Sequence, residues 1–374
     1  MTTNLKAYFP MIKSRMEVLK EINQNAALQA VFNSWEKERQ KEFLDFCTGV
    51  RGVKILYDSF FKEIANPETN PQRLEDLLSV FLGRKVKILQ ILPNDSVRIA
   101  DESTLLITDI VVELEDGSIA NVEIQKIGYA FPGERCGCYS ADMLLRQYKR
   151  VKSKRRKKFS YKDIKTVYTL VLFEKSTEEF RACPDQYVHH GEVLFDTGLK
   201  VRIPQEYFLI PLDIFKRSMH NKPIRNKKEA WLSFLSFDAP ERVIEVITKY
   251  PEFRPMYEDV YGICQNVERV MNMFSKELRE MDRNTVQYMI EEQQEKIEEQ
   301  QGTIEELKEA AEDKDRELED KARRLEDKDR KLEDKDRIMD LTLVMIEYGQ
   351  AGEVKRLQQD PTFLQEMIEK YGIK

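Results

Sequence analysis

The chain of 374 residues is 34% charged and has a formal net charge of −6, a whole-chain figure that excludes neither nucleic-acid nor protein partners. Its length predicts two or three folded units with ample room for a core. Five cysteines, an odd number, and the lack of a recognisable secretory signal predict a reducing, cytoplasmic location. No apolar run approaches the ~20 residues of a membrane span, so we expect no membrane partner.

Helical spacing of apolar residues dominates the first part of the chain. Residues 1–50 are predicted to form an N-terminal helical appendage that ends near Gly49. A first core helix, which contains Asp58, is expected after residue 54. A second is expected between Pro71 and Gly83, where apolar residues follow the i, i+3, i+4, i+7 pattern.

A strand is expected over residues 86–92, then a turn at 93–95 and a hairpin over 108–125. Odd and even positions of the hairpin differ in polarity, and this alternation predicts strands with one buried face. The apolar side chains are Ile110, Val112, Leu114, Val122 and Ile124, and the polar ones are Asp109, Glu113, Glu115, Asn121, Glu123 and Gln125.

The turn of this hairpin decides which acidic residues meet. Burial of both apolar faces together requires odd residues to pair with odd residues. A three-residue loop, Glu115 to Gly117 with Gly117 left-handed, satisfies this parity and places Asp109 opposite Glu123. Two carboxylates facing each other at roughly 5 Å between Cβ atoms suit Mg²⁺. The alternative is the solvated face of an edge hairpin.

After the hairpin, a loop over residues 128–137 is expected to lead into a helix that carries Tyr139 and Gln147. This helix runs into a stretch that we call the basic segment, residues 146–158, in which nine of thirteen residues are Lys or Arg and none is acidic. Such a run is often only solvated surface, but beside a carboxylate hairpin it suggests contacts to DNA phosphates. The basic candidates are Arg146, Lys149, Arg150, Lys154, Arg155, Arg156, Lys157 and Lys158.

The remaining core elements follow in order. Residues 167–173 are continuously apolar and predict a strand buried on both faces. Residues 207–215 predict another strand, at an edge or bulge because of Pro211. A helix around Trp231 is expected to close a core domain that spans residues 51–240.

Beyond the core, residues 241–289 predict a helical segment, and residues 341–374 predict a C-terminal helical hairpin. Between them, residues 290–340 carry one apolar residue every seven positions, from Ile290 to Met339. Lysine occupies four successive second core positions, 314, 321, 328 and 335, which weakens a two-stranded seam. The alternatives are a weak coiled coil that forms a homodimer and a single charged helix held by i,i+4 ion pairs.

The Asp followed by Glu-x-Gln on the next strand resembles the active-site hairpin of the PD-(D/E)XK nuclease superfamily. The form with Gln in the lysine position resembles its recombination-promoting nuclease/putative transposase family. Further similarities are the D-x-x-F-K motif at 58–62, the residues Arg135, Tyr139 and Gln147, the strand region 161–173 and the W-x-x-F-L motif at 231–235. The basic segment departs from the family, which usually has a glycine-bearing turn there.

The resemblance implies an α/β fold with a mixed central sheet flanked by helices, a restriction-endonuclease-like core followed by an all-helical extension. It implies a Mg²⁺-dependent DNA endonuclease associated with transposition or recombination. Asp109, Glu123 and the backbone carbonyl of Ile124 would bind the metal, and Asp58 would be a further carboxylate. Gln125 would orient water or phosphate, because Gln carries no charge.

The same resemblance gives Arg135, Tyr139 and Gln147 a supporting role towards the DNA substrate. A second function remains open, because Gln125 replaces the usual lysine. In this alternative the nuclease fold is inactive, and the protein is a DNA-binding or assembly module that acts through its coiled coil.

Overall fold

The computed structural model describes residues 4–92, 110–126 and 132–372. It divides into two compact units, residues 1–292 and residues 293–374, which are described separately. Within the described residues, no helix has the length and apolar character needed to cross a membrane.

One mixed sheet forms the centre of the first unit, as predicted. Its strands lie in the order β1-β2-β3-β4-β6-β5, with β3, β4 and β6 parallel and the other neighbouring pairs antiparallel. The strands are β1 (Ile88–Ile91), β2 (Ile110–Leu114), β3 (Ile119–Gln125), β4 (Val167–Phe173), β5 (His189–Glu192) and β6 (Gln205–Pro211).

Helices cover the sheet and build the rest of the chain. The α-helices of the first unit are α1 (Arg15–Gln24), α2 (Ala26–Ser34), α3 (Lys37–Cys47), α4 (Asp58–Ile64), α5 (Pro71–Leu82), α6 (Pro132–Arg155), α7 (Glu178–Arg181), α8 (Leu212–Ser218), α9 (Lys227–Ser236), α10 (Pro240–Lys249) and α11 (Arg254–Cys264). They are followed by α12 (Val267–Glu347), which continues into the second unit, and by α13 (Pro361–Tyr371). Short 3₁₀ helices lie at Leu5–Ala7, Arg156–Lys158, Tyr161–Asp163, Pro251–Phe253 and Ala351–Gln358.

The main core lies on the sheet face that carries the even residues of β2, β3 and β4. The residues before position 50 contribute to this same core. Phe9 packs against Tyr261 with ring centroids 5.1 Å apart, and Phe43 packs against Phe274 at 5.8 Å. The opposite face carries smaller clusters, one of which joins Val111, Ile119 and Val167 to Met143 of α6.

Two local predictions were wrong. Residues 132–137 are helical rather than a loop, since α6 begins at Pro132, where a missing N–H costs no helical hydrogen bond. The strand predicted over 207–215 ends at Pro211, and residues 212–218 form α8, with Ile214 and Phe215 fully buried. Proline has no N–H to continue the ladder, and β6 is an inner strand between β4 and β5, not an edge.

The second unit contains the later part of α12 and the C-terminal segments. Leu341, Met345 and Leu357 are buried together and pack against Phe363 and Leu364 of α13. Gly349 has φ +77°, a left-handed conformation that glycine adopts without steric cost, and it follows the end of α12. The C-terminal helical segments therefore pack against one another.

Candidate active site

The hairpin of β2 and β3 has the predicted register. Ile110 pairs with Val122 and Val112 pairs with Ala120, so odd residues face odd residues. The loop is the three-residue loop 115–117, closed by hydrogen bonds from Leu114 N–H to Ser118 O and from Gly117 N–H to Leu114 O, and Gly117 has φ +83°. The predicted turn is confirmed.

The alternative interpretation, a solvated face on an edge hairpin, is wrong, because both faces of the hairpin are buried. Glu113, Asn121, Glu123 and Gln125 are all less than 10% exposed. The cause is α6, which packs across the polar face, while β1 and β4 flank the hairpin and remove it from the sheet edge. Buried acidic and amide groups are costly unless they have partners, so their contacts are informative.

Glu123 lies at the centre of a hydrogen-bonded group beneath the beginning of α6. Gln125 donates its side-chain amide to Glu123 Oε1 at 3.1 Å. Tyr139 also hydrogen-bonds Glu123 through its hydroxyl, and Arg135 Nη2 donates to that hydroxyl at 3.0 Å. Four predicted site residues, Glu123, Gln125, Arg135 and Tyr139, are therefore brought together.

The electrostatic surroundings of Glu123 affect its neighbours on α6. Burial, followed by the negative charge of Glu123, raises the pKa of the Tyr139 phenol well above its ordinary value. The same two causes raise the pKa of the Cys136 thiol to about 12. Tyr139 therefore keeps its proton at neutral pH and remains a hydrogen-bond donor to the carboxylate.

Asn121 is a residue that was not assigned to the site from the sequence. It lies two positions before Glu123 on the same strand face and is fully buried. Within the part of the chain that the structure describes, neither polar atom of its amide has a hydrogen-bond partner. The alternation pattern placed Asn121 on the polar face, and that was the available signal. Its amide oxygen adds a hard oxygen donor near Glu123.

Asp109, the predicted partner of Glu123, lies outside the described residues, as do the turn predicted at 93–95 and the first part, 128–131, of the loop predicted at 128–137. The residues described contain no group of three or more His, Cys, Asp or Glu side chains suited to a metal. The donors that are described, the Glu123 carboxylate and the Asn121 amide, are oxygen ligands of the kind that Mg²⁺ takes. The donor chemistry therefore fits the ion.

Asp58 is the first residue of α4, and its partners differ from those of Glu123. Its carboxylate forms an ion pair with Lys62 at 2.8 Å. Its backbone N–H donates to Glu277 of α12 at 3.0 Å, and Glu277 also forms a buried ion pair with Lys126, the residue after Gln125. Asp58 is thus grouped with Lys126 and Glu277, whereas Gln125 and Tyr139 contact Glu123.

The other α6 candidates make internal contacts. Gln147 is fully buried, accepts a hydrogen bond from Lys165 N at 2.7 Å and donates to Gly117 O at 3.2 Å. These contacts tie the hairpin turn to the chain before β4, at the end of β3 remote from Glu123. Arg146 pairs with Asp142 at 2.8 Å, and Arg150 with Glu113 at 3.3 Å.

The exposed cations of the basic segment lie at the far end of α6. Tyr139 contacts Glu123, and Arg155 follows sixteen residues later, about 24 Å along the helix axis. The structure thus separates the exposed charges from the Glu123 group instead of surrounding it with them. The exposed candidates are Lys149, Lys154, Arg155, Arg156, Lys157 and Lys158.

A mixed sheet with a central acidic hairpin that ends in Glu-x-Gln beneath a crossing helix is a nuclease core of the PD-(D/E)XK class. The family model described as PD-(D/E)XK nuclease family transposase matches residues 55–297, and the chain belongs to this family. Comparison with curated proteins and with solved structures gives no match. The predicted family and fold class are confirmed, and the protein is of the nuclease and transposase type.

Proposed function

We propose that the protein is a Mg²⁺-dependent DNA endonuclease that hydrolyses phosphodiester bonds during transposition or recombination. The observation that carries this proposal is the buried Glu123 carboxylate, which Gln125 and Tyr139 hydrogen-bond at the end of the central hairpin. The register of Ile110 with Val122 supports the pairing of the preceding residue, Asp109, with Glu123. Asp109, Glu123 and the Ile124 carbonyl would hold the ion.

Each residue has a separate task in this proposal. A bound Mg²⁺ supplies polarisation of the scissile phosphate and a lower pKa for the attacking water. Gln125 and Tyr139 hold the Glu123 carboxylate in one orientation, and Arg135 holds the Tyr139 hydroxyl. Burial under α6 limits the access of bulk water, which strengthens these contacts. Because Gln125 is neutral, it orients groups by hydrogen bonds and provides no charge.

The test is nicking of supercoiled plasmid by the full chain. We expect nicking with Mg²⁺, none with EDTA and none with Glu123→Gln, which keeps the size of the side chain. Glu192→Ala, at an exposed acid on β5, is the matched control and should retain activity. Gln125→Ala should reduce the rate by about 10- to 100-fold, the usual effect of losing a group that orients a ligand. Full nicking by a folded Glu123→Gln protein would refute the proposal.

The alternative is an inactive nuclease fold that binds DNA or assembles through its helical extension. The replacement of the usual lysine by Gln125 favours this alternative, whereas the retained Glu123 group favours catalysis. The plasmid assay separates the two, because an inactive module would leave the plasmid supercoiled with Mg²⁺ while still retarding it on a gel.

Homodimerisation through α12 is a second part of the proposal. In the described structure, the apolar residues that recur every seven positions are strongly exposed, including Ile304 at 51%, Leu318 at 61% and Leu325 at 59%. A second copy of the chain would cover this stripe. The lysines at the second core positions keep the association weak, since each lowers the apolar area at the seam.

A further inference from the structure

Three aromatic side chains form a cluster at the end of the basic segment, one of them within it and two directly after it. Tyr148 and Tyr161 are stacked, with ring centroids 6.1 Å apart and planes 10° apart. Phe159 packs edge-on against both, at 5.5 Å from Tyr148 and 5.3 Å from Tyr161. These distances are those of favourable aromatic pairs. We call Tyr148, Phe159 and Tyr161 the aromatic platform.

The platform is open to solvent where a ligand would need it. Tyr161 is 76% exposed, although it is a large aromatic residue at the edge of a folded core. Tyr148 stacks on one side of the Tyr161 ring, so the exposed area of Tyr161 is the rest of its surface. An exposed aromatic ring that its own chain positions but does not cover is suited to stacking with another flat ring.

Positive charge lies next to the platform, in space at Tyr148 and in the sequence around Tyr161. Lys152 donates to the Tyr148 hydroxyl at 2.7 Å and lies 5.0 Å from the Tyr148 ring centroid. The other exposed cations nearby in the chain are Lys149, Lys154, Arg155, Arg156, Lys157, Lys158 and Lys162. Of these, Arg155 has a carboxylate partner, Asp163 at 3.4 Å. The surface therefore combines an aromatic ring with a dense group of cations.

The segment that carries Tyr161 is held in place by its own hydrogen bonds. Asp163 accepts from the backbone N–H of Ser160 at 2.9 Å and also pairs with Arg155 of α6. Ser160 caps the 3₁₀ helix Tyr161–Asp163. A ring that is already positioned loses little freedom when a ligand stacks on it, which favours binding.

We propose that the aromatic platform and the basic segment form a binding site for single-stranded DNA, in which an unpaired base stacks on Tyr161 and the cations contact the adjoining phosphates. This inference rests on the proposed function, since it names the form of DNA that the nuclease holds. Bases of a duplex are already stacked on their neighbours, whereas an unpaired base presents a free face to Tyr161. The strand would extend from this site along α6 towards Glu123.

The inference is tested by fluorescence anisotropy of the full chain in EDTA, which removes any dependence on cleavage. The probes are a labelled single-stranded oligonucleotide and a duplex of the same sequence. We expect Tyr161→Ala to weaken single-strand binding by about 5- to 100-fold, the range for one base stack, with little effect on duplex binding. Tyr161→Phe should bind normally, and Tyr348→Ala, at an exposed tyrosine of the other unit, is the matched control.

The phosphate contacts are tested separately by their dependence on salt. Replacement of residues 154–158 with Ala should weaken binding to every sequence and reduce the slope of affinity against salt, because phosphate contacts release counterions. Tyr161→Ala should leave that slope unchanged. A loss of affinity that is equal for single strand and duplex, or no loss at all with Tyr161→Ala, would overturn the inference.

The two proposals fail in different ways. Single-strand binding that depends on Tyr161 without plasmid nicking would refute the endonuclease and leave the binding site in place. Nicking that depends on Glu123, without any effect of Tyr161 on single-strand binding, would refute the binding site and leave the endonuclease in place.

Discussion

Lys126 forms a buried ion pair with Glu277, and this contact joins the end of β3 to the first part of α12. Their side chains are only 9% and 1% exposed. The other carboxylate oxygen of Glu277 accepts the backbone N–H of Asp58 at 3.0 Å, so α4 is held at the same point. Lys126 directly follows Gln125, yet its ammonium group points to Glu277.

We predict that removal of one member of this pair is strongly destabilising. Glu277→Gln leaves the Lys126 charge buried without its counter-charge, which should lower the free energy of unfolding by about 3–5 kcal/mol. The double variant Lys126→Met/Glu277→Leu should lose less, because no charge is left buried. Urea unfolding measures both. An equal loss in the single and double variants would show that packing, rather than charge, makes the contribution.

The second prediction concerns acid stability. Burial alone raises the pKa of Glu42, but hydrogen bonds from Lys54 at 2.7 Å, Tyr57 at 2.6 Å and Arg39 at 2.8 Å outweigh it and lower the pKa to about 2. A lowered folded-state pKa means that Glu42 stabilises the fold above the ordinary value of 4.5 and that this contribution is lost as the pH falls towards 2.

Glu42→Gln should therefore reduce the loss of stability between pH 5 and pH 2 by about 1 kcal/mol, since solvent screens part of the interaction. The measurement is urea unfolding of both proteins across this pH range. Glu38→Gln, at an exposed position of the same helix, is the control and should change the profile little. Identical profiles for the wild type and Glu42→Gln would contradict the assignment.

The third prediction concerns the end of α6, where Arg156 has φ +48°. A non-glycine side chain in this left-handed region costs about 1–2 kcal/mol. Glycine removes this cost, but the greater flexibility of glycine in the unfolded chain cancels part of the gain. We expect Arg156→Gly to stabilise the fold by about 0.5–1 kcal/mol. The same change should lower the slope of log affinity against log salt for DNA binding by about 1, the value for one lost phosphate contact.

Arg155→Gly is the matched control for that change. Arg155 has φ −88°, where glycine offers no relief, and it pairs with Asp163, so this substitution should destabilise the fold. Thermal unfolding measures both variants. If Arg156→Gly were as destabilising as Arg155→Gly, the left-handed conformation would not be the source of strain.

The fourth prediction concerns residues 286–339 of α12. Opposite charges recur at i,i+4 spacing along this helix, for example at Glu319 and Arg323, and such pairs contribute ~0.2–0.5 kcal/mol each. Repeated along one helix, they should be enough to hold it without a partner. We expect the isolated segment to remain helical on dilution and to dimerise weakly, mainly through residues 290–307. Circular dichroism and analytical ultracentrifugation measure helicity and mass. Loss of helix on dilution would show that helicity depends on the partner.

Substitutions within the stripe locate the contact. Ile297→Asn and Ile304→Asn together should abolish association, whereas Leu325→Asn and Leu332→Asn, which lie among the lysine-bearing heptads, should weaken it less. The reverse order of effects would place the seam in the charged half of the segment.

The sequence by itself determined the hairpin and its register. Alternation of polar and apolar residues requires odd positions to pair with odd positions, and Gly117 permits the left-handed turn that achieves this pairing. The heptad spacing similarly predicted a long helix, since charge pairs and apolar period are local properties of the chain. Both results depend on residues close together in the sequence.

Only the tertiary structure decided what covers the polar face of that hairpin. The alternation indicates that the two faces of the hairpin differ in polarity. It does not predict that α6 buries the polar face, because that burial depends on contacts between residues distant in the sequence. For the same reason, the sequence did not assign Gln147 to the hairpin turn, or pair Lys126 with Glu277. The position of the exposed Tyr161 ring likewise depends on Phe159, which packs against both Tyr148 and Tyr161. No periodic pattern in the sequence predicts this arrangement.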